Sequence, residues 1–124
     1  MKRGKWLEGK EVRVIWTTYP ADRVQEARAL ARELVEQHLA ACIWLLPQME
    51  SFYRWKGEVV EDREVALIIK THEQAATACV EYLQQKHPYE VPEILVWIPE
   101  GVGAAYLEWL RRVTVMRDAD RAGE

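Results

Sequence analysis

Apolar and polar residues alternate near the start of the chain. In residues 11–18, EVRVIWTT, the positions Val12, Val14 and Trp16 alternate with polar ones, a pattern typical of a β-strand. Ile15 falls on the other side of the alternation, which indicates a strand partly covered on both faces. We therefore expect the first strand of a sheet here.

The apolar spacing changes after Pro20. From Val24 to Val35 the apolar residues recur every three or four positions, which predicts a helix from about residue 23 to 38. Asp22, followed three positions later by Gln25, predicts a capping box at its start. The first strand is thus followed by a first helix.

The middle of the chain predicts a long β-hairpin. The run LAACIWLL is rich in β-branched and aromatic residues, and Pro47 interrupts it before SFYRW resumes the alternation, which predicts a bent strand. Gly57 supplies the positive φ of a hairpin turn. The following residues 59–71, VVEDREVALIIKT, predict a partner strand with an acidic middle that could contain a bulge.

A second helix and a final strand complete the pattern. Thr71 with Gln74 predicts another capping box, and the helix it opens ends near Gln85. The prolines of HPYEVP favour extended backbone before the apolar strand EILVWIP. After Gly101 and Gly103, the segment AAYLEWLRRV predicts a short terminal helix.

The element order defines the fold class. It is β-α-β-β-α-β plus a helix, which is an α+β, ferredoxin-like sandwich with an extended β-hairpin and an extra C-terminal helix. The 124 residues suit a single domain, with an ordered core at about 11–115 and N- and C-terminal tails.

Composition excludes several classes of protein. The formal net charge of −3, with acids and bases interspersed, lacks the basic stripe of a nucleic-acid binder. No stretch approaches the roughly 20 apolar residues of a membrane span, and MKRGKWLEGK does not resemble a signal peptide. We expect a cytosolic protein in which Cys42 and Cys79 are buried thiols rather than a disulfide.

The loop KHPYEVPE, residues 86–93, carries the candidate chemistry. His87 beside a proline and Tyr89 is explained equally well by a rigid, packed turn or by a ligand site that uses Glu90. His38, at the end of the first helix, is interpreted as a structural donor at the negative end of the helix dipole. No glycine-rich phosphate loop is present.

Charged residues of the hairpin are interpreted as a solvated rim. Basic residues interrupt the acidic run, so no general acid and base pair is indicated. The acids concerned are Glu58, Glu61, Asp62 and Glu64.

Aromatic residues exceed what one small core can hold. The chain has six tryptophans, and each large aromatic side chain removes about 150 to 250 Å² from water when buried. We therefore expect some of them at a subunit interface, where aromatic residues are enriched. The candidates lie on the hairpin and the last helix.

Several separate motifs resemble one known family. TTYPAD, LAAC, YRWKGEVVEDREVALIIKT, HPYEVPEI and YLEWL resemble the CutA divalent-cation-tolerance proteins in order and spacing, over roughly residues 12–113. The resemblance implies ferredoxin-like subunits in a tight homotrimer, with sheets extended across subunit edges by the hairpin, similar to PII signalling proteins. It also implies a link to tolerance of divalent metals, notably copper, without an enzymatic reaction.

The resemblance further implies which residues form the site. Some bacterial members have a cysteine on the first strand and two histidines before the proline as proposed copper ligands. This chain has Trp16 or its neighbour at the first position and Lys86 at the second, so His87 is the histidine that remains. His87 is then expected as a metal ligand, with Glu90 as an auxiliary carboxylate.

The clefts between subunits are the expected binding sites. Their predicted cleft or interface residues are Tyr53, Trp55, Tyr89 and Trp109. No firmly bound cofactor is expected, but a divalent cation such as copper is a candidate. The alternatives are a PII-like sensor that binds a small organic effector in the same clefts, and an enzyme with His87 as general base.

Overall fold

The computed structural model describes residues 5–115 and shows a mixed α+β architecture. Its strands are β1 (Trp6–Glu8), β2 (Val12–Pro20), β3 (Cys42–Trp55), β4 (Glu58–His72), β5 (Ile94–Trp97) and β6 (Gly101–Gly103). Its α-helices are α1 (Val24–Glu36), α2 (Glu73–Lys86) and α3 (Ala104–Thr114), and a 3₁₀ turn, Ala21–Arg23, precedes α1.

Four strands form an antiparallel sheet in the order β3-β4-β2-β5. Alternation along the strands directs Ile15, Leu67 and Ile69 towards α1 and α2, where they form the main core with Leu34 and Leu83. This two-layer arrangement confirms the predicted ferredoxin-like fold. No helix within residues 5–115 is both long and apolar enough to cross a lipid bilayer.

A second, smaller core lies where α3 packs near one end of the sheet. It joins Val12 and Ala41 to Leu107 and Leu110. The rest of that sheet face carries no helix in the described part of the chain. The terminal helix was therefore predicted correctly, and its packing leaves most of one sheet face open.

The hairpin projects beyond the sheet. β2 pairs with β4 only as far as Glu64, so residues 50–55 and 58–63 pair solely with each other. We call this two-stranded segment the hairpin arm. Its turn has positive φ at Lys56 (49°) and Gly57 (82°), the conformation for which glycine is favoured.

The predicted bulge is in the other strand. The register of the hairpin shifts between Leu46 and Met49 of β3, whereas β4 runs without a shift through its acidic segment. Pro47 lies at the shift and has no backbone N–H to donate to β4. The irregularity at Pro47 is a register shift in β3, and the possible bulge predicted in the acidic middle of β4 was wrong.

Both predicted capping boxes were also wrong. Asp22 lies in the 3₁₀ turn, and α1 begins after Arg23 without a side-chain cap. The N-cap of α2 is His72, whose Nδ1 accepts the backbone N–H of Gln74 at 3.0 Å. Thr71 instead donates its hydroxyl to the Leu39 carbonyl at 2.7 Å, because the strand continues to residue 72.

Regular secondary structure is present before residue 11, where the predicted core began. β1 pairs with β6, and a Cβ at Gly101 would lie 2.4 Å from the ring of Trp6, so this contact requires glycine. The predicted C-terminal tail lies largely outside the described residues.

Glu11 joins three elements at the end of the sheet. Its carboxylate accepts hydrogen bonds from Arg111 on α3 and from the Nε2 of His72, the latter at 2.9 Å. The hydrogen bond from Arg111, then that from His72, lowers the pKa of Glu11 to about 2. The ionised form therefore stabilises the docking of α3.

This pKa gives a pH-dependent prediction. Because the folded pKa is below the ordinary value of 4.5, the contribution is complete above pH 4.5 and is lost as the pH falls towards about 2. Glu11→Gln should lower the free energy of unfolding at pH 7 by up to about 1 kcal/mol, since exposed pairs are screened. The difference from wild type should shrink at pH 2.5.

Urea unfolding at one fixed protein concentration measures this difference. Glu36→Gln, exposed on α1, is the matched control and should change stability little at either pH. An equal loss for Glu11→Gln at both pH values would contradict the assigned role.

Candidate functional site

His87 is a buried corner of the loop after α2. It follows the last residue of α2 and is 9% exposed. Its Nε2 lies 2.6 Å from the carbonyl oxygen of Thr18 on β2, and its Nδ1 lies 3.1 Å from the backbone nitrogen of Tyr89. A carbonyl only accepts and an amide N–H only donates, so Nε2 carries the proton and Nδ1 accepts.

The protonation state of His87 follows from its burial. Burial lowers its pKa below 6.5, although the hydrogen bond to Thr18 and the charge of Glu64 act in the opposite direction. The ring also packs against Tyr19 and Tyr89, with centroid distances of 4.5 and 5.1 Å. His87 is thus a neutral imidazole whose two nitrogens both have protein partners.

The loop and the hairpin arm enclose a cleft of about 700 Å³. We call it the loop–hairpin cleft. Five aromatic side chains line it: Trp16, Phe52, Tyr53, Trp55 and Tyr89. The rings of the hairpin arm are partly exposed, which makes an open, largely aromatic site.

Three carboxylates lie along the same cleft. Glu90 and Glu93 are exposed on the loop, whereas Glu64 of β4 is 6% exposed. Glu64 accepts a hydrogen bond from the hydroxyl of Tyr89 at 2.7 Å. Burial and then this bond raise the pKa of Tyr89, so its hydroxyl stays protonated and remains a donor.

Glu64 corrects the interpretation of the hairpin acids as a solvated rim. Glu58 and Glu61 are exposed, but Glu64 is buried at the base of the arm. A signal was available, because Glu64 is in phase with Ala66 and Ile68 along an alternating strand. Because residues 61–64 are all charged, the alternation of side chains between the two faces of the strand was not recognised there.

The structure divides the predicted site residues between separate places. Tyr53, Trp55, Tyr89 and Glu90 line the cleft, but His87 lies behind it and does not. Trp109 does not line the cleft either; it packs against the small core of α3. Phe52 and Glu64 are cleft residues that sequence reasoning had not assigned to the site, whereas Trp16, which stands at or beside the position of the family's cysteine, lines the cleft as well.

Other predicted candidates have structural roles. The ring Nδ1 of His38 contacts the carbonyl oxygen of Val113 at 2.9 Å, which ties the end of α1 to α3. Cys42 and Cys79 are free thiols, the latter buried in the main core. Lys86 ends α2, with its Nζ 5.6 Å from the ring of Tyr82.

Metal-binding geometry is not preformed in the described chain. Within residues 5–115, no three His, Cys, Asp or Glu side chains lie close enough together to hold an ion. His87 and Glu90 are brought to the same loop, but only Glu90 faces the cleft.

The open face of the sheet adjoins the cleft. Trp16, Trp44, Leu95 and Trp97 point away from α1 and α2, and the last three are 58%, 48% and 47% exposed. Trp16 and Trp97 pack edge to face, with centroids 5.4 Å apart. Exposed apolar patches of this kind are typical of surfaces that contact a partner.

Comparison with known proteins places this geometry in a family. The sequence model of the family described as "CutA1 divalent ion tolerance protein" matches residues 10–113. The divalent-cation tolerance protein CutA of Thermus thermophilus is 46% identical over 102 residues, which are 82% of this chain and 96% of the relative. Human protein CutA is 41% identical over 103 residues, 83% of this chain; the chain spans only 56% of that relative's length.

A solved structure agrees with the sequence matches. CutA from Synechococcus elongatus PCC7942, complexed with a Bis-Tris molecule, superposes with a TM-score of 0.79 at 34% identity, over 88% of this chain and 99% of that chain. The chain therefore belongs to the CutA1 divalent ion tolerance family.

Proposed function

We propose that this protein is a non-catalytic, cytosolic homotrimer that acts in divalent-cation tolerance by binding a ligand in the loop–hairpin cleft. The tolerance role rests on the names of its family and relatives. The observation that carries the ligand-binding role is a cleft of about 700 Å³ lined by five aromatic rings and a buried carboxylate. Pockets of this size and lining are typical of small-molecule sites.

The trimer is supported by the open face of the sheet. A monomer would leave Trp44, Leu95 and Trp97 in water, while the opposite face is fully used by α1 and α2. The same face borders the cleft through Trp16. Association through this face would cover the exposed rings and place the cleft near a subunit boundary.

Two kinds of ligand are candidates for the cleft. A divalent cation bound by His87 and Glu90 is the first, and a small organic effector, as in a PII-like sensor, is the second. His87 would have to release Thr18 or Tyr89 to bind a metal, since both ring nitrogens are engaged. The aromatic lining favours the organic effector, and one CutA relative has been solved with an organic molecule.

The state of the His87 ring tests the metal hypothesis. We expect nitrogen-detected NMR to show the neutral form with the proton on Nε2 at pH 7, and a titration midpoint below 6.5. Because the folded pKa is lowered, stability should fall as the pH drops from 6.5 through that midpoint, as the unfolded chain is protonated first.

Added zinc should leave the His87 signals unchanged. Loss of the Nε2 proton, or a zinc-induced shift at Nδ1 that disappears in Glu90→Gln, would contradict the hydrogen-bonded role and establish His87 and Glu90 as ligands. Glu81→Gln, exposed on α2, is the matched control.

Assembly has its own test. Native mass spectrometry should give three times the mass of one chain, and Trp97→Glu should dissociate the assembly because it places a charge on the open face. Val35→Glu makes the same change of chemistry on the exposed side of α1 and should leave the trimer intact. A monomeric wild type, or a trimeric Trp97→Glu, would overturn the proposed interface.

A further inference from the structure

The charge of the loop–hairpin cleft is unbalanced. Glu64, Glu90 and Glu93 line it, and among the described residues that line it there is no lysine, arginine or histidine. Like charges gathered in a partly desolvated cleft raise its local negative potential and attract cations. This lining of the protomer favours a cationic ligand over an anionic one.

Glu64 is the one buried carboxylate among the three acidic residues that line the cleft. Its side chain is buried at the base of the cleft, and the hydroxyl of Tyr89 is a neutral donor to one of its oxygens. Within residues 5–115 no ion pair includes Glu64. A buried carboxylate is costly unless a counter-charge or several donors compensate it, and one neutral donor compensates it only in part.

The chemistry of the walls identifies the kind of cation. A metal ion would need several oxygen, nitrogen or sulfur ligands within bonding distance, and no such group of three acidic, histidine or cysteine side chains exists in the described chain. The walls are instead the rings of Trp16, Phe52, Tyr53 and Trp55. Aromatic faces attract alkylammonium groups through their quadrupoles and also bury the attached carbon atoms.

We propose that the loop–hairpin cleft binds an organic ammonium compound, with its cationic group directed at Glu64 and its alkyl part against the rings of the hairpin arm. This inference rests on the proposed function, in which the cleft is the ligand site, and adds the charge class of the ligand. The volume of about 700 Å³ accommodates a small organic cation with room to spare.

Choline and 3,3-dimethylbutanol provide the matched probes. The two molecules have the same shape, but only choline is charged. We expect choline to bind at least about tenfold more tightly, as measured by isothermal titration calorimetry and by a change in tryptophan fluorescence at constant ionic strength. The full chain is used in its native assembly.

Matched variants locate the binding site. Glu64→Gln keeps the shape and can still accept the hydroxyl of Tyr89, so it should fold and keep its assembly mass while losing most of the preference for choline. Glu36→Gln removes an exposed carboxylate from α1 and should bind choline as wild type does. Trp55→Leu should weaken the binding of choline more than that of 3,3-dimethylbutanol, because it removes a π face but keeps apolar area.

Each outcome has a distinct meaning. Equal binding of the two probes, weakened in Trp55→Leu, would overturn the cationic inference and leave the cleft as a ligand site. Choline binding that Glu64→Gln does not reduce would also overturn it, because the ion would lie elsewhere. No binding of either probe at about 10 mM would overturn both the inference and the ligand-binding role of the cleft.

Discussion

The ring of His87 holds the loop after α2 against the sheet. Its Nε2–H donates to Thr18 on β2, and its Nδ1 accepts the backbone N–H of Tyr89. One side chain therefore fixes both the end of α2 and the direction of the loop that follows. The position of the Tyr89 hydroxyl on Glu64, and hence the floor of the cleft, depends on this pair of hydrogen bonds.

In this arrangement both ring nitrogens of His87 have protein partners, so metal binding would require one of these hydrogen bonds to be released. A ligand imidazole needs a free lone pair that faces the ion, whereas the lone pair of Nδ1 is occupied by an amide two residues further on. Burial keeps the ring neutral, which preserves one donor and one acceptor. In this structure carboxylates and aromatic rings, rather than His87, line the loop–hairpin cleft.

Aromatic residues are distributed between two adjoining surfaces. Trp44 and Trp97 lie on the open sheet face, and Tyr53 and Trp55 lie on the hairpin arm. Trp16 contributes to both, since it packs on Trp97 and lines the cleft. If the proposed assembly and the proposed ligand site both hold, they share this side chain, which would couple the two events through direct contact.

The sequence by itself determined the order along the chain of the four strands of the main sheet and the three helices, and the layering of the fold, but not the short strands β1 and β6. Alternation and helical spacing depend on neighbouring residues, so β2, α1, the hairpin and α2 were all predicted in place. The sequence also pointed to the loop after α2 and to aromatic residues of the hairpin, and Tyr89 and Glu90 of the loop line one cleft with Tyr53 and Trp55 of the hairpin.

Only the tertiary structure decided which residues face that cleft. His87 turns towards Thr18, a residue 69 positions earlier in the chain, and no local pattern could show that contact. Glu64 is buried and accepts a hydrogen bond from Tyr89, 25 positions later in the chain, although the three residues before it are charged and none of them is buried. Burial is a property of packing between distant segments, which explains why a charge run was mistaken for a solvated surface.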